Sequence, residues 1–370
     1  MNDTTAARQE RPELQKAAEE FVAAGFSGVQ MRVRAEWGEW AGSAGVRKLG
    51  ETAEPPTDGQ FWAGSCTKSF TAALVLHLVA EGRIGLDDPV AGHLPALGLD
   101  RRITVRMLLR HTSGLFNYTG EYYEDGTVVP GIPATGKEWV DNRFRSYRPQ
   151  ELVQLALSKP ARFEPGTGWS YSNTNYTLAQ LLVEEVTGRP YAQELGRRIL
   201  GPLGLRGTEV PGTRTEIPGP HAHGYCRYED DGEWKVVDVT AQNLSLLPAA
   251  GDLISTTEDL ATFMSALMGG KILPDPLLEE MRTPAPGSGD LRYGLGLFVQ
   301  DLGEDGGTVF HHNGSPPGGY GALMYSTPDG GKSLTASLTI GDAEVNPALE
   351  FPKALDRLVR TVFRGGSATG

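Results

Sequence analysis

One run constrains the fold more than any other: SCTKSFTAALVLHLVAEGRI, the twenty residues that start at Ser65. Its apolar residues recur at near-helical spacing, and Gly82 and Gly85, followed by Asp87-Asp88-Pro89, stop it, which predicts a long buried helix. Such a helix needs a core around it. The chain has 370 residues, enough for one large domain or a catalytic unit of two lobes.

Ser65 and Lys68 stand three apart at the start of this helix, so both side chains lie on one face. Serine alone is a poor nucleophile. A neighbouring amine can take its proton if that amine is neutral, and burial together with the positive end of the helix dipole pushes a lysine that way. S-x-x-K by itself is common, and an N-cap serine with a surface lysine would look the same. Here the lysine opens a buried helix, where it must be solvated or used.

Two further clusters add weight. Tyr171-Ser172-Asn173 follows FEPGTGWS and precedes a predicted helix, where a turn can hold a phenol and a carboxamide toward a cleft. Tyr171 can relay the serine proton to a leaving group, and Asn173 can donate to a substrate carbonyl and accept from a lysine. His312-Asn313-Gly314-Ser315 falls on or beside a late strand. There His312 can steer protons and Gly314 lets substrate backbone approach. The backbone N–H groups of Ser65 and Ser315 would form an oxyanion hole. Either cluster alone would be read as ordinary packing.

The rest of the chain supplies the frame. Residues 10–24 predict an amphipathic helix and 29–37 a half-buried strand. Residues 103–115 predict a short helix capped by Thr104 and ending at Gly114 after a cationic His111. Further helices are expected at 149–158, at 176–188 and after a capping box at Ser255–Glu258. Beyond residue 290, short apolar runs broken by glycine predict antiparallel strands, and a last amphipathic helix spans 347–363. The expected class is α+β: an antiparallel sheet flanked by terminal helices, with an all-helical lobe. We expect one catalytic domain of two lobes, the sheet lobe at about 1–62 and 285–370 and the helical lobe at about 63–284.

A net charge of −12 disfavours nucleic acid and anionic membrane as partners, since both need a basic face. The amino terminus lacks the apolar core of a signal peptide, and no stretch holds 18 uncharged apolar residues, so a cytoplasmic location is expected. Cys66 and Cys226 make no disulfide framework and have no zinc-spaced partners.

Taken in order, GSCTKSF, ITVRMLLRHTSGL, YSNTNY, GDLISTTEDL and HHNGSPPGGY resemble the serine β-lactamase and D-alanyl-D-alanine carboxypeptidase superfamily, nearest its class C and Streptomyces-type carboxypeptidase branch. The resemblance spans roughly residues 25–365. It implies the β-lactamase/transpeptidase-like fold, Ser65 as nucleophile, Lys68 as its base partner, Tyr171 as proton relay, Asn173 as a substrate-orienting residue and His312 in the third-motif place. Neither metal nor organic cofactor is implied. His221-Ala222-His223, within GPHAHGY, resembles a loop of these carboxypeptidases and is read as structural, and Cys66 as packing.

One departure matters. The carboxypeptidases place an arginine directly after YGLGL to hold the substrate's free carboxylate, and here that substrate-binding position is Phe298. Arg292, six residues back, would lie about 20 Å away on an extended strand. Asn313 and Ser315 remain as polar contacts. The expectation is therefore acyl transfer through Ser65 on a small-molecule or peptide substrate containing a D-amino acid, either a peptide, amide or ester. A true β-lactamase is a narrower alternative, and a non-catalytic ligand-binding protein is the alternative from another class. In the loop at 116–126, Glu121, Glu124 and Asp125 would either be solvated or receive a substrate ammonium.

Overall fold

A computed structural model describes residues 11–123, 125–343 and 347–364. Glu124 therefore lies outside the described residues. The chain opens with helix α1 (Pro12–Ala23), started by Pro12, whose fixed φ suits a first turn. Its buried residues Leu14, Ala17, Ala18 and Phe21 fall on one stripe. Strands β1 (Phe26–Ala35) and β2 (Gly38–Gly45) follow as a hairpin.

β1 then pairs antiparallel with the last strand, Ser333–Ile340, with Met31 opposite Ala336. That strand pairs with Tyr320–Ser326, then come Thr308–Gly314 and the edge strand Phe298–Asp301, completing six antiparallel strands. α1 and the carboxyl-terminal helix Pro347–Phe363 cover one face, where Phe21, Leu358 and Val359 pack on Val29, Met31, Leu323 and Leu338. Helices cover the other face.

That second layer changes the character of β1. The alternation in its sequence predicts one wet face, yet residues 28–33 are all buried. Gln30 donates to the Gly59 carbonyl (3.0 Å) and Arg32 pairs with Glu39 while its Nε reaches Thr257 Oγ1 (3.4 Å), so the polar members are satisfied inside. β1 is a central strand with polar contacts to the helical layer.

The run after Ser65 folds as a 3-10 turn (Gly64–Cys66) leading into helix α2 (Thr67–Ala80), buried on nearly every side. Phe70 stacks on Phe263 at 3.6 Å between centroids, on the helix Thr257–Met268. Burying one such phenylalanine stabilises the fold by roughly 2–3 kcal/mol. The cap of the 257–268 helix is Thr256, whose Oγ1 accepts from Asp259 N (3.1 Å), one residue later than the capping box expected from Ser255.

Three other expectations are corrected. The helix capped by Thr104 ends at Leu109, and His111 takes a left-handed backbone (φ 64°) and is buried, so it is no exposed C-terminal cation. The helix expected at 176 begins at Asn173 (Asn173–Thr187), which puts Tyr171 and Asn173 at its amino-terminal end. Residues 292–298 are not one extended strand: the segment doubles back, Tyr293 bridges Phe298, and Val299 N donates to the Arg292 carbonyl (2.9 Å). Arg292 thus lies beside Phe298, far closer than 20 Å. An unexpected hairpin, Tyr225–Asp230 with Glu233–Asp238, packs on the helix Gly136–Asn142. No helix among the described residues is long and apolar enough to cross a membrane.

Candidate active site

Ser65 sits on the turn before α2, where the end of the 308–314 strand crosses it closely. A Cβ on Gly314 would stand 2.0 Å from the Ala63 carbonyl oxygen and 3.2 Å from Ser65 N, so only glycine fits. This contact sets the Ser65 and Ser315 backbones side by side, the arrangement expected of an oxyanion hole.

Lys68 Nζ lies 3.1 Å from Ser65 Oγ, 2.8 Å from Asn173 Oδ1 and 2.7 Å from the Ala250 carbonyl oxygen. The carboxamide oxygen and the carbonyl can only accept, so two N–H bonds are committed to them. The third position on nitrogen faces Ser65 Oγ, and in the neutral amine it is the lone pair that would take the serine proton. Lys68 is fully buried, and burial holds its ammonium well below the usual lysine range, against smaller opposing influences from Cys66 and Asp252.

Asn173 is held in turn. Its Nδ2 donates to Thr119 Oγ1 (3.2 Å), and its backbone N–H donates to Asn117 Oδ1 (3.1 Å). Tyr171 lines the same cleft as Ser65, and its ring lies 4.7 Å from Lys68 Nζ. Desolvation pushes its phenol up, with the neighbouring Ser65 hydroxyl opposing, so Tyr171 keeps its proton and is suited to relaying one.

Two histidines stand behind this cluster. His111 packs on the Tyr171 ring at 4.4 Å, and its Nδ1 accepts from Ser172 N (3.2 Å) and Asn175 Nδ2 (3.1 Å), which places its proton on Nε2. His312 Nδ1 lies 2.9 Å from the Asn313 carbonyl oxygen and so carries its proton, leaving Nε2 to accept from Tyr293 OH (3.2 Å). Burial holds both well below the usual histidine range, with Lys68 acting in the same direction. The hydrogen bonds of His312 run to Tyr293 and its own strand, not to Ser65 or Lys68.

Of the spaces that Tyr171 borders, two carry most of the other candidate residues. A cleft of about 820 Å³ is lined by Ser65, Asn173, Ser315, Trp139, Tyr320 and Trp234. A second, of about 690 Å³, is lined by Tyr171, Phe298, His312, Asn313, Arg292 and Tyr325. Asn313 belongs to this second space, its Nδ2 donating to Tyr325 OH (3.0 Å), so the structure separates it from Ser65 and Ser315. Phe298 packs edge-on against His312 (5.1 Å) and Tyr293 (4.6 Å).

Other candidates resolve simply. Cys66 is buried, with Sγ 3.2 Å from the His312 carbonyl. His221 Nδ1 bonds the Gly219 carbonyl and His223 Nδ1 bonds Asp238, each at 2.7 Å, and the described residues hold no group of three metal-ligating side chains. Glu121 is buried, ion-paired with Arg162, and accepts from Asn117 N (2.9 Å), which leaves it committed to the protein. Asp125 closes its own turn on Thr127 N (2.9 Å). Sequence reasoning missed the aromatic wall of Trp139, Tyr320 and Trp234, which comes from three distant segments. It also missed Asp252, though that acid stands in the quoted GDLISTTEDL.

A half-buried serine bonded to a buried lysine, at a sheet-to-helix junction, defines a serine acyl-transfer scaffold. The chain belongs to the Beta-lactamase family, whose profile matches residues 14–352. It is 36% identical to a D-stereospecific amidohydrolase from Streptomyces sp., covering 97% of this chain and 100% of that one, with a TM-score of 0.81. It is 29% identical to the D-amino acid amidase from Ochrobactrum anthropi SV3 solved with D-phenylalanine, covering 95% and 98% with a TM-score of 0.79. A relative named as penicillin-binding protein PbpX, from Bacillus subtilis (strain 168), is 30% identical over 289 residues, and this chain spans 65% of its length.

Proposed function

We propose that this protein is a D-stereospecific serine amidohydrolase, cleaving amides, short peptides or esters of D-amino acids through an acyl-enzyme on Ser65. The observation that carries it is the Lys68 amine, buried and bonded to two fixed acceptors with its third position on Ser65 Oγ. Likeness to the D-stereospecific amidohydrolase over the whole chain supports the substrate class.

In this reading Ser65 Oγ attacks the substrate carbonyl carbon as its proton passes to Lys68. The oxyanion is met by the backbone N–H groups of Ser65 and Ser315. Tyr171 hands its proton to the departing amine as the C–N bond breaks and regains one from the Lys68 ammonium, and Asn173 orients the substrate. Water then attacks the ester carbonyl as its proton passes to Lys68, the acyl C–Oγ bond breaks, Ser65 Oγ takes that proton back, and the D-amino acid leaves with its free carboxyl group. The aromatic cleft suits a large apolar side chain on the acyl residue.

The second space favours one further reading. Arg292 borders it with Tyr171, so recognition of a free carboxylate on the leaving residue, and with it D,D-carboxypeptidase activity, stands as a second reading.

The test is intact-mass spectrometry after incubation with a penicillin, beside turnover of D- and L-amino-acid amides, esters and D,D-dipeptides. A covalent adduct on Ser65 with D-selective amide turnover is expected. Equal labelling of Ser65→Ala, or turnover confined to L substrates, would overturn the proposal. Preference for dipeptides over amides, lost in Arg292→Ala, would select the second reading.

A further inference from the structure

A buried acid stands two residues along the chain from Ala250, the carbonyl that accepts from Lys68, and takes no part in the steps above. Asp252 is 4% exposed and belongs to the segment 247–253, which wraps the first turn of α2. Thr71 Oγ1 donates to the Ala249 carbonyl (2.7 Å), Lys68 Nζ to the Ala250 carbonyl (2.7 Å), and Leu253 N to Thr67 Oγ1 (3.2 Å). Ala249 adopts φ 55°, a left-handed conformation costly for a residue with a side chain. Its N–H donates to Asp252 Oδ1 (3.1 Å). The carboxyl therefore holds the strained turn whose next residue supplies the Lys68 acceptor.

We propose that Asp252 is a positioning residue for Ser65 acylation, its carboxyl fixing the Ala249–Ala250 turn that supplies the Lys68 acceptor and its charge acting on the lysine through that turn. The inference rests on the Ser65 acyl-enzyme reading. An ionised Asp252 favours the ammonium form of Lys68, and a protonated one releases the amine to act as a base. Burial pushes the Asp252 carboxyl up to about 7, with the Ala249 N–H and Lys68 opposing, so its charge changes in the neutral range. The groups around the pair are otherwise uncharged near neutrality. Tyr118 and Tyr191 flank Asp252, the Cys66 thiol and the Tyr171 phenol flank Lys68, and burial holds all four protonated. His111 and His312 beyond Lys68 are held neutral.

Two substitutions separate geometry from charge. Asp252→Asn keeps an oxygen for the Ala249 N–H and removes the charge, whereas Asp252→Ala removes both. In Asp252→Asn, the acid limb of kcat/KM for a D-amino-acid amide should move about one unit to lower pH. The Lys68 signal in protein carrying 13C-labelled lysine should titrate lower by the same amount. Asp252→Ala should lose at least tenfold in the rate of Ser65 acylation. A lysine titration and pH profile in Asp252→Asn that superimpose on those of the wild type would overturn the proposal. The lysine signal reads the coupling without turnover, so failure of Ser65 to acylate would refute the acyl-enzyme reading separately.

Discussion

Two walls face each other across the main cleft, and they are built in opposite ways. On one, α2 and segment 247–253 bury Lys68, Thr71 and Asp252 in a hydrogen-bonded network with almost no access to water. On the other, the 225–238 hairpin stands at the surface, with Trp234 60% exposed and Arg227 4.2 Å above its ring. The first wall holds its groups by buried hydrogen bonds, as the alignment needed for proton transfer demands. The second offers area and accommodates shape. Chemistry and selectivity are thus assigned to walls of different rigidity, and substitutions on them should differ in kind.

The largest expected effect is on the buried wall. Lys68→Met, which keeps the volume and removes the amine, should slow Ser65 acylation by about 10³-fold or more while the protein stays folded, as stopped-flow with a chromogenic ester would show. If acylation stayed within tenfold of wild type, the buried network would not be the seat of the chemistry. Tyr171→Phe should cost about 10²-fold in kcat for amides and less for esters of good leaving groups, because only the poor leaving group needs a proton. An equal loss for both would deny Tyr171 its relay role.

The same wall predicts a pH dependence. Lys68 works as the neutral base and its ammonium is held well below the usual range, so kcat/KM should rise with pH through that lowered value. It should level off at a lower pH than an ordinary lysine, with a pKa of about 10.4, would allow. A profile still climbing through pH 10 would place Lys68 in water.

Smaller effects are expected opposite. Trp234→Ala should raise KM for aromatic D-amino-acid amides by roughly 2–10-fold with kcat nearly unchanged, the mark of binding shared by ground and transition states. A fall in kcat without change in KM would mean that the hairpin reaches the reacting atoms. Away from both walls, Thr256→Ala removes the cap of the 257–268 helix and should lower unfolding free energy by about 1 kcal/mol with activity intact, measured by urea denaturation.

How much of this was legible in the sequence follows the range of each contact. Ser65 and Lys68 could be paired because three residues of helix bring them together, and Asn173 because its motif lies at a helix start. The central burial of β1 was not legible, since Arg32 and Gln30 read as solvent-facing until Glu39, Thr257 and Gly59 are seen beside them. Arg292 was misplaced because the turn at 293–298 depends on a tertiary contact. Gly296 has φ 80°, and a Cβ there would stand 2.6 Å from Ala72 Cβ, while its carbonyl accepts from Ser69 Oγ (2.7 Å) on α2. Nothing within the six residues announces that partner. The aromatic cleft shares this cause, since Trp139, Trp234 and Tyr320 have no common local pattern.

The pairing of β1 with the final strand also bears on how the molecule is made. Phe26 lies opposite Ile340, so the middle of the sheet waits for almost the whole chain to emerge from the ribosome. At about 5–20 residues per second, that wait is on the order of 15–60 s. Throughout it, an apolar ribbon with one edge unpaired is offered to any other chain nearby. Slower translation would lengthen that exposure, and a permuted gene that brings the two strands together in sequence would shorten it.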